Sequence, residues 1–215
     1  MKWRKTLVAA GMLAVLLLCR PLFNRGVGDM NAGKLAYDRG NYAQARDDFR
    51  RAIELKSTGN RHVYLALAYW KLGELDDAQR EGRIGIQLDP ESATAHENLS
   101  LIYVSAKKFE DATQEAKAAT RLGPNNINTW YALISATTSN SDFVAAADAC
   151  RHAIQVRPTD ERAHLLLAYA LGKSGRPAEA IEEWKYLAQN GSKYQKAAIA
   201  ALQRLGAALP PSLPR

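Results

Sequence analysis

The chain has 215 residues, so it can hold one or two ordinary domains. Its formal net charge is +7, but residues 1–25 carry five basic residues and no acidic one, which leaves 7 − 5 = +2 for the rest. Acids and bases are interspersed along that remainder, which argues against a phosphate-binding face and against nucleic acid as a partner. Aromatic residues are few and alanine is abundant, which favours helices over sheets.

Residues 1–25 are predicted to form a signal-anchor. Basic residues precede an unbroken apolar or small run of thirteen residues from Leu7 to Cys19, a length typical of the apolar part of a secretory signal. As a helix this run spans roughly 20 Å, short of a hydrocarbon core of about 30 Å, whereas a helix from Trp3 to Phe23 would suffice. The side chains predicted to lie in the membrane are Leu7, Val8, Leu13, Val15, Leu16, Leu17 and Leu18.

Three fates stay open for this leader. A signal peptidase prefers small residues just after the apolar run, and no such site follows Cys19. Lipid attachment at Cys19 resembles the bacterial lipoprotein signal, although Leu18 stands where that motif has Gly, Ala or Ser. Retention as an uncleaved anchor needs neither signal and is our prediction. With the N-terminus in the cytoplasm, the body of the chain would lie outside it, in the periplasm of a Gram-negative host.

From residue 59 onward the chain repeats with a period of 34 and without a gap. The repeat has a leucine column at Leu65, Leu99, Leu133 and Leu167, and prolines close three successive units at Pro90, Pro124 and Pro158. An earlier unit, 26–58, fits with one residue fewer. A period of this length indicates stacked helical units, none of which can bury its apolar face alone.

Each unit is predicted to contain two antiparallel helices joined by a short turn. A small residue recurs just after each turn, at Ala45, Ala78, Ala112, Ala146 and Ala180. The first helix ends at a glycine in three units, Gly40, Gly73 and Gly175, because a left-handed backbone costs glycine least. Lys107 and Ser141 hold that position in the other two units, so we expect those turns to close less tightly. The alanine is expected to face the first helix of its own unit, where a larger side chain would separate the helices.

These columns resemble the tetratricopeptide repeat family, whose pattern includes Trp, Leu-Gly, Tyr, Ala, Phe and Pro at fixed spacings. Unit two carries Leu65, Ala66, Tyr69 and Ala78 at the matching places, and unit four supplies Trp130. The resemblance implies an all-α fold, a right-handed α-solenoid of helix–turn–helix repeats behind an N-terminal hydrophobic anchor helix. The predicted repeats fill 26–194, as 26–58, 59–92, 93–126, 127–160 and 161–194, followed by a capping helix at 195–206 and a proline-rich tail at 207–215.

The sequence indicates no enzyme, no cofactor and no metal site. His62, His96 and His164 lie in one repeat column, so adjacent units would hold them about 10 Å apart, too far for a shared zinc ion. Cys150 takes a packing position, and Cys19 in the leader is its only possible disulfide partner. Neither a phosphate-binding glycine loop nor a hydrolase motif occurs.

The resemblance also implies a concave groove, lined by the first helices, that holds a protein partner. Carried over by column, the groove residues are Asn60, Val63, Tyr64, Leu67, Trp70, Lys71, Asn98, Leu101, Tyr131, Ser135, Arg162, Leu165 and Tyr169. Aromatic and amide side chains of this kind suit an extended or helical peptide. The alternative is that Val63, Trp70 and Leu165 only pack between units. The lysine–asparagine clamp with which one variant of the family holds chaperone tails is matched here only by Asn98. Gly82 and Gly85 depart from the family pattern and would permit close approach by the next unit or by a partner, and the sequence does not decide between the two.

The leader and the resemblance together predict a membrane-anchored scaffold for protein–protein interaction. Its predicted task is to assemble or stabilise a bacterial envelope complex, with other membrane or envelope proteins as partners. Two alternatives stay open. One is a permanent accessory subunit of a membrane enzyme complex, and the other is a lipoprotein pilotin-like carrier of an outer-membrane component.

The fate of the leader can be read from the intact mass of the protein extracted from membranes. We expect the mass of the full chain, because the leader lacks both processing signals, and Cys19→Ser should change it by the substitution alone. A lipid adduct that disappears in Cys19→Ser would establish the lipoprotein alternative, and a mass lacking the leader would establish cleavage.

Overall fold

The computed structural model describes residues 25–189 and 192–210, and every regular element in those ranges is a helix. This confirms the all-α prediction for the described part of the chain. The chain divides into two compact units between Glu91 and Ser92. None of the described helices is both long and apolar enough to cross a bilayer. The predicted anchor side chains from Leu7 to Leu18, and Cys19, lie outside the described residues.

The first unit contains two helix pairs. These are α1 (25–38) with α2 (Tyr42–Leu55), and α3 (Gly59–Leu72) with α4 (Leu75–Leu88). Helix α3 packs against both α2 and α4. The fully buried Phe49 of α2 lies so close to Gly33 of α1 that a Cβ at Gly33 would come within 2.5 Å of its ring. The ring of Phe49 therefore occupies the space that a side chain at Gly33 would need.

Two glycines allow α3 and α4 to approach closely. A Cβ at Gly59 would lie 2.7 Å from the carbonyl oxygen of Gly85, and a Cβ at Gly85 would lie 2.9 Å from Cγ2 of Val63. Side chains at either position would push the helices apart, since real Cβ contacts essentially never fall below 3.0 Å. Gly85 thus has the packing role that the sequence left open, and Gly82 is buried on the same helix.

The second unit contains three helix pairs and a final single helix among its described residues. The pairs are α5 (Ala93–Ser105) with α6 (Phe109–Leu122), α7 (Ile127–Ser139) with α8 (Phe143–Val156), and α9 (Glu161–Lys173) with α10 (Pro177–Gln189). Consecutive helices pack against each other, and α5 also packs against α7. The final helix, α11 (Gln195–Arg204), places Ala198 and Leu202 against Leu187 and Ala188 of α10. It therefore covers the apolar side of the last pair, as a capping helix must.

Small and apolar columns meet at the centre of each pair. The alanine column is buried in all five pairs, and the four leucines of the period are buried as well. In the α5–α6 pair, the hydroxyl of Ser100 donates a hydrogen bond to the carbonyl oxygen of Ala112 over 2.8 Å. The recurrent alanine therefore lies where the two helices touch, and its small size sets their separation.

All five turns use a left-handed residue at the end of the first helix. Gly40, Gly73 and Gly175 have φ of 79°, 80° and 77°, and Lys107 and Ser141 have φ of 58° and 60°. The expectation that the turns at Lys107 and Ser141 close less tightly is wrong, because they adopt the same backbone conformation as the glycine turns. The strain falls on the backbone of the two residues that carry a Cβ.

The hydrogen bonds of these turns are also the same. The Gly73 N–H donates to the carbonyl of Trp70, and the next N–H, from Glu74, donates to Tyr69, both over 3.0 Å. At Lys107 the corresponding bonds are 3.0 Å to Val104 and 2.9 Å from Lys108 to Tyr103. This pair of bonds satisfies the last carbonyl groups of the helix, so the turn geometry is kept even without glycine.

We expect Lys107→Gly to raise the free energy of unfolding by up to about 1 kcal/mol, because it relieves a left-handed conformation at a residue with a Cβ. Gly73→Ala is the matched opposite change, since a Cβ there meets no atom within 4 Å and only the backbone is strained. It should lower the free energy of unfolding by a similar amount. Urea unfolding followed by circular dichroism measures both, and a stability loss in Lys107→Gly would contradict the strain assignment.

Candidate protein-binding surface

The predicted groove residues of the first unit differ in how far they reach solvent. Asn60 and Lys71 are exposed, and Tyr64, Leu67 and Trp70 are partly exposed. Val63 is only 6% exposed and its side chain packs against Gly85. The prediction that Val63 lines a groove is therefore wrong, because the close approach of α3 and α4 covers it.

Cations lie over the aromatic rings of this unit. The Lys34 ammonium is 4.7 Å from the centroid of the Tyr64 ring, whose other neighbour is Phe49 at 5.5 Å. The Lys71 ammonium is 4.6 Å from the Trp70 ring. These contacts leave cations and aromatic edges together at the surface, a combination common in protein interfaces.

In the second unit, Tyr131 and Arg162 belong to one polar network around Asp160. The Tyr131 hydroxyl donates to Oδ1 of Asp160 over 2.7 Å, and the Arg162 guanidinium lies 4.1 Å from the centroid of the Tyr131 ring. Asp160 is the N-cap of α9, where its side chain accepts the backbone N–H groups of Arg162 and Ala163 at 3.1 and 3.3 Å. Arg157 donates to Oδ2 over 3.3 Å. One carboxylate thus joins α7, the end of α8 and the beginning of α9.

These contacts shift the pKa values of the Asp160 carboxyl and the Tyr131 hydroxyl. Burial alone would raise the pKa of Asp160, but the hydrogen bonds from Tyr131 and from the α9 backbone, together with Arg157, outweigh it and hold this pKa below its usual value. Burial, and then the hydrogen bond to the Asp160 charge, raises the pKa of Tyr131 well above its usual range. Tyr131 therefore stays a hydrogen-bond donor, and Asp160 stays ionised down to acidic pH.

An open pocket of about 680 Å³ adjoins this network. Its charged lining is Arg157, Asp160, Arg162 and Lys193, and its amides come from Asn125, Asn126 and Asn128. The pocket therefore has three cations and one anion. Its polar side chains converge at the N-terminal ends of α7 and α9, where the helix dipoles add further positive potential.

A second pocket, of about 360 Å³, lies among α9, α10 and α11. Its apolar lining includes Tyr169, Trp184 and Leu205, and its charged lining residues are Lys173 and Arg204. Tyr169 is 45% exposed, an unusual exposure for a large aromatic side chain on a helix. This pocket offers an apolar anchor point next to positive charge.

The remaining predicted groove residues lie outside both pockets. Asn98 and Leu101 on α5 and Ser135 on α7 are partly exposed. Leu165 packs against the buried cluster that joins α10 and α11, which is the packing role named as its alternative. Of the predicted set, the structure thus places Tyr131, Arg162 and Tyr169 at pockets of the second unit.

Comparison with known proteins agrees with this architecture. The model of the tetratricopeptide repeat family matches residues 30–78 and 63–127. The chain is a tetratricopeptide repeat protein. No curated protein matches its sequence.

Several solved structures share the tetratricopeptide repeat fold seen here. PilF of Pseudomonas aeruginosa is 20% identical with a TM-score of 0.70, over 86% of this chain and 93% of that one. MamA of Desulfovibrio magneticus is 14% identical with a TM-score of 0.67, over 84% and 96% of the two chains. A thermophilic repeat protein of Thermus thermophilus is 19% identical with a TM-score of 0.61, over 84% and 98%. At these identities the likeness concerns the fold alone.

The histidine column links the two helices of a repeat. The Nδ1 atoms of His62, His96 and His164 each donate to a glutamate nineteen residues later, Glu81, Glu115 and Glu183, over 2.7, 2.6 and 2.7 Å. Unit four has Trp130 and Ala149 at these places, so both partners are replaced together. Trp130 keeps one contact of the column, because its indole N–H donates to the carbonyl oxygen of Pro124, and the equivalent carbonyl oxygen of Pro158 lies 3.0 Å from His164 Nε2. Sequence reasoning missed these pairs, although the glutamates follow the same period of 34.

Cys150 is fully buried, as its packing position predicts. Burial raises the pKa of its thiol to about 12. A thiol with such a pKa has almost no thiolate at neutral pH and reacts slowly with electrophiles.

Asp160→Asn tests the network while keeping a side-chain acceptor at the N-cap. We expect it to lower the free energy of unfolding at pH 7 by about 1 kcal/mol, because a charged acceptor is lost. Because the pKa of Asp160 is lower in the folded state, its carboxylate stabilises the fold at pH values above its unfolded-state pKa of about 3.9, and this stabilisation is lost as the pH falls through its folded-state pKa. The difference in free energy of unfolding between wild type and Asp160→Asn should therefore become smaller below about pH 4. Urea midpoints measured across this range test it, with the exposed Asp111→Asn as control, and a pH-independent deficit would contradict the assignment.

Proposed function

We propose that this tetratricopeptide repeat protein is a membrane-anchored scaffold that assembles or stabilises a bacterial envelope complex. The observation that carries the binding part is the exposed surface at the two pockets of the second unit. Tyr131 and Arg162 line the first pocket together with other cations and amides, and Tyr169 lines the second together with two cations. Exposed aromatic and arginine side chains in pockets are the residues on which protein interfaces most depend.

The membrane part of the proposal rests on the sequence of the leader. Its apolar run from Leu7 to Cys19 follows a basic start and lacks the small residues that processing requires. A leader of this kind tethers the repeats to one side of a membrane. The proposed location of the repeats is outside the cytoplasm, since the basic residues at the N-terminus favour the cytoplasmic side.

The test is affinity purification of the full-length protein from gently solubilised native membranes, with mass spectrometry of the proteins that accompany it. We expect specific membrane or envelope partners that are reduced at least about tenfold in Arg162→Glu, because reversing a charge at the pocket repels a complementary partner. Arg121→Glu is the matched control, an exposed arginine on α6 outside both pockets. Absence of any specific partner would overturn the proposal.

A second arm separates the scaffold from a permanent subunit. Replacing residues 1–25 by an unrelated membrane anchor should preserve partner binding if the leader only tethers the repeats. Stoichiometric partners that are lost with the new anchor would instead identify an accessory subunit of a membrane complex, whose leader packs against other transmembrane helices.

A further inference from the structure

The two pockets of the second unit lie along one face of α9. Arg162 lines the first pocket, and Tyr169 and Gly172 line the second. Arg162 and Tyr169 are seven residues apart. Seven residues are close to two helical turns, so the two side chains share a face and their Cα atoms lie about 10 Å apart along the axis.

The first pocket has an excess of positive charge that its own carboxylate does not neutralise. Asp160 is occupied by four hydrogen bonds, from Tyr131, Arg157 and the backbone of Arg162 and Ala163. Within the part of the chain that the structure describes, neither Arg162 nor Lys193 forms an ion pair. Each forms a cation–π contact instead, Arg162 with the Tyr131 ring and Lys193 with the Tyr194 ring. Two cations are thus available to an incoming anion.

The second pocket combines apolar walls with two further cations. Lys173 and Arg204 are its charged lining residues, and its lining contains no carboxylate. Gly172 lies beside open space, since a Cβ there would meet no atom within 4 Å. An apolar side chain can therefore enter next to Tyr169 without displacing protein atoms.

We propose that this face of α9 binds an acidic, extended segment of a protein partner, with a carboxylate in the first pocket and a large apolar side chain in the second. An extended chain rises about 3.3 Å per residue, so about 10 Å corresponds to about three residues between the acidic and the apolar side chain. The four cations that are not paired with Asp160 attract an acidic segment; they are Arg162, Lys193, Lys173 and Arg204. The apolar pocket selects a peptide over other polyanions. The inference rests on the proposed function, because it states which partner chemistry that scaffold recognises.

The probe is a blocked, fluorescent peptide, Gly-Asp-Asp-Ser-Gly-Phe-Ser, titrated with the full-length protein in detergent and followed by anisotropy. Two matched peptides replace both aspartates by asparagine, or the phenylalanine by serine. We expect each replacement to weaken binding at least about tenfold, since each removes the group for one pocket. Added salt should weaken the acidic peptide more than the asparagine peptide.

Two protein variants locate the binding. Arg162→Ala should weaken the acidic peptide about tenfold and leave the asparagine peptide nearly unchanged, whereas Arg121→Ala should affect neither. Gly172→Leu should abolish binding of the phenylalanine peptide, because leucine fills the open space of the second pocket. Gly28→Leu is its control, a helical glycine of the first unit whose Cβ would also meet no atom within 4 Å. Circular dichroism should show both leucine variants folded.

The inference is overturned if the acidic peptide does not bind, if the asparagine peptide binds equally well, or if Gly172→Leu leaves binding intact. Two further results together would identify a general polyanion surface instead. Single-stranded nucleic acid or anionic vesicles would displace the peptide, and they would bind Gly172→Leu as tightly as they bind the wild-type protein. If membrane partners still co-purify with Arg162→Ala and Gly172→Leu, the protein is still a scaffold, but its partners bind outside the two pockets, and the acidic-peptide inference falls.

Discussion

The close contact between the two helices of each repeat is the constraint on which the structure depends. It requires a buried alanine after every turn, and at α3 and α4 it requires glycine on both helices, at Gly59 and Gly85. It also requires a turn that reverses the chain within a few residues. The backbone meets that requirement even where Lys107 and Ser141 must adopt positive φ. The packing of each helix pair thus outweighs the local preference of single residues.

The same contact determines which side chains are left for binding. Columns that face the partner helix are occupied by leucine and alanine, and the histidine–glutamate pairs join the two helices of a repeat. The exposed side chains of α7 and α9 are polar or aromatic, namely Asn128, Arg162, Tyr169 and Lys173. There Asp160 caps α9 and orients Tyr131, and Arg162 lies over the Tyr131 ring. The proposed binding surface is therefore positioned by backbone and N-cap geometry rather than by flexible loops.

The sequence was sufficient for the helical architecture, because a period of 34 reports packing columns that recur in every unit. It could not predict the left-handed turns at Lys107 and Ser141, since local propensity opposes them and the demand for chain reversal decides. The sequence placed Val63 in the groove because its position in the repeat does not reveal how closely α3 and α4 approach each other at Gly59 and Gly85. Tyr131 and Arg162 were predicted singly, but their connection through Asp160 depends on three helices meeting, which spacing along the chain does not contain.

The central claim is that the α9 face of the second unit is where a protein partner binds. Photo-crosslinking in native membranes tests it most directly, with a photoreactive amino acid at Tyr169 or at Val144. Both positions are exposed, at 45% and 57%, but Val144 lies on α8 and lines neither pocket. The account predicts a specific crosslinked protein from Tyr169 and none from Val144. Crosslinking at Val144 alone, or at neither position, would contradict it.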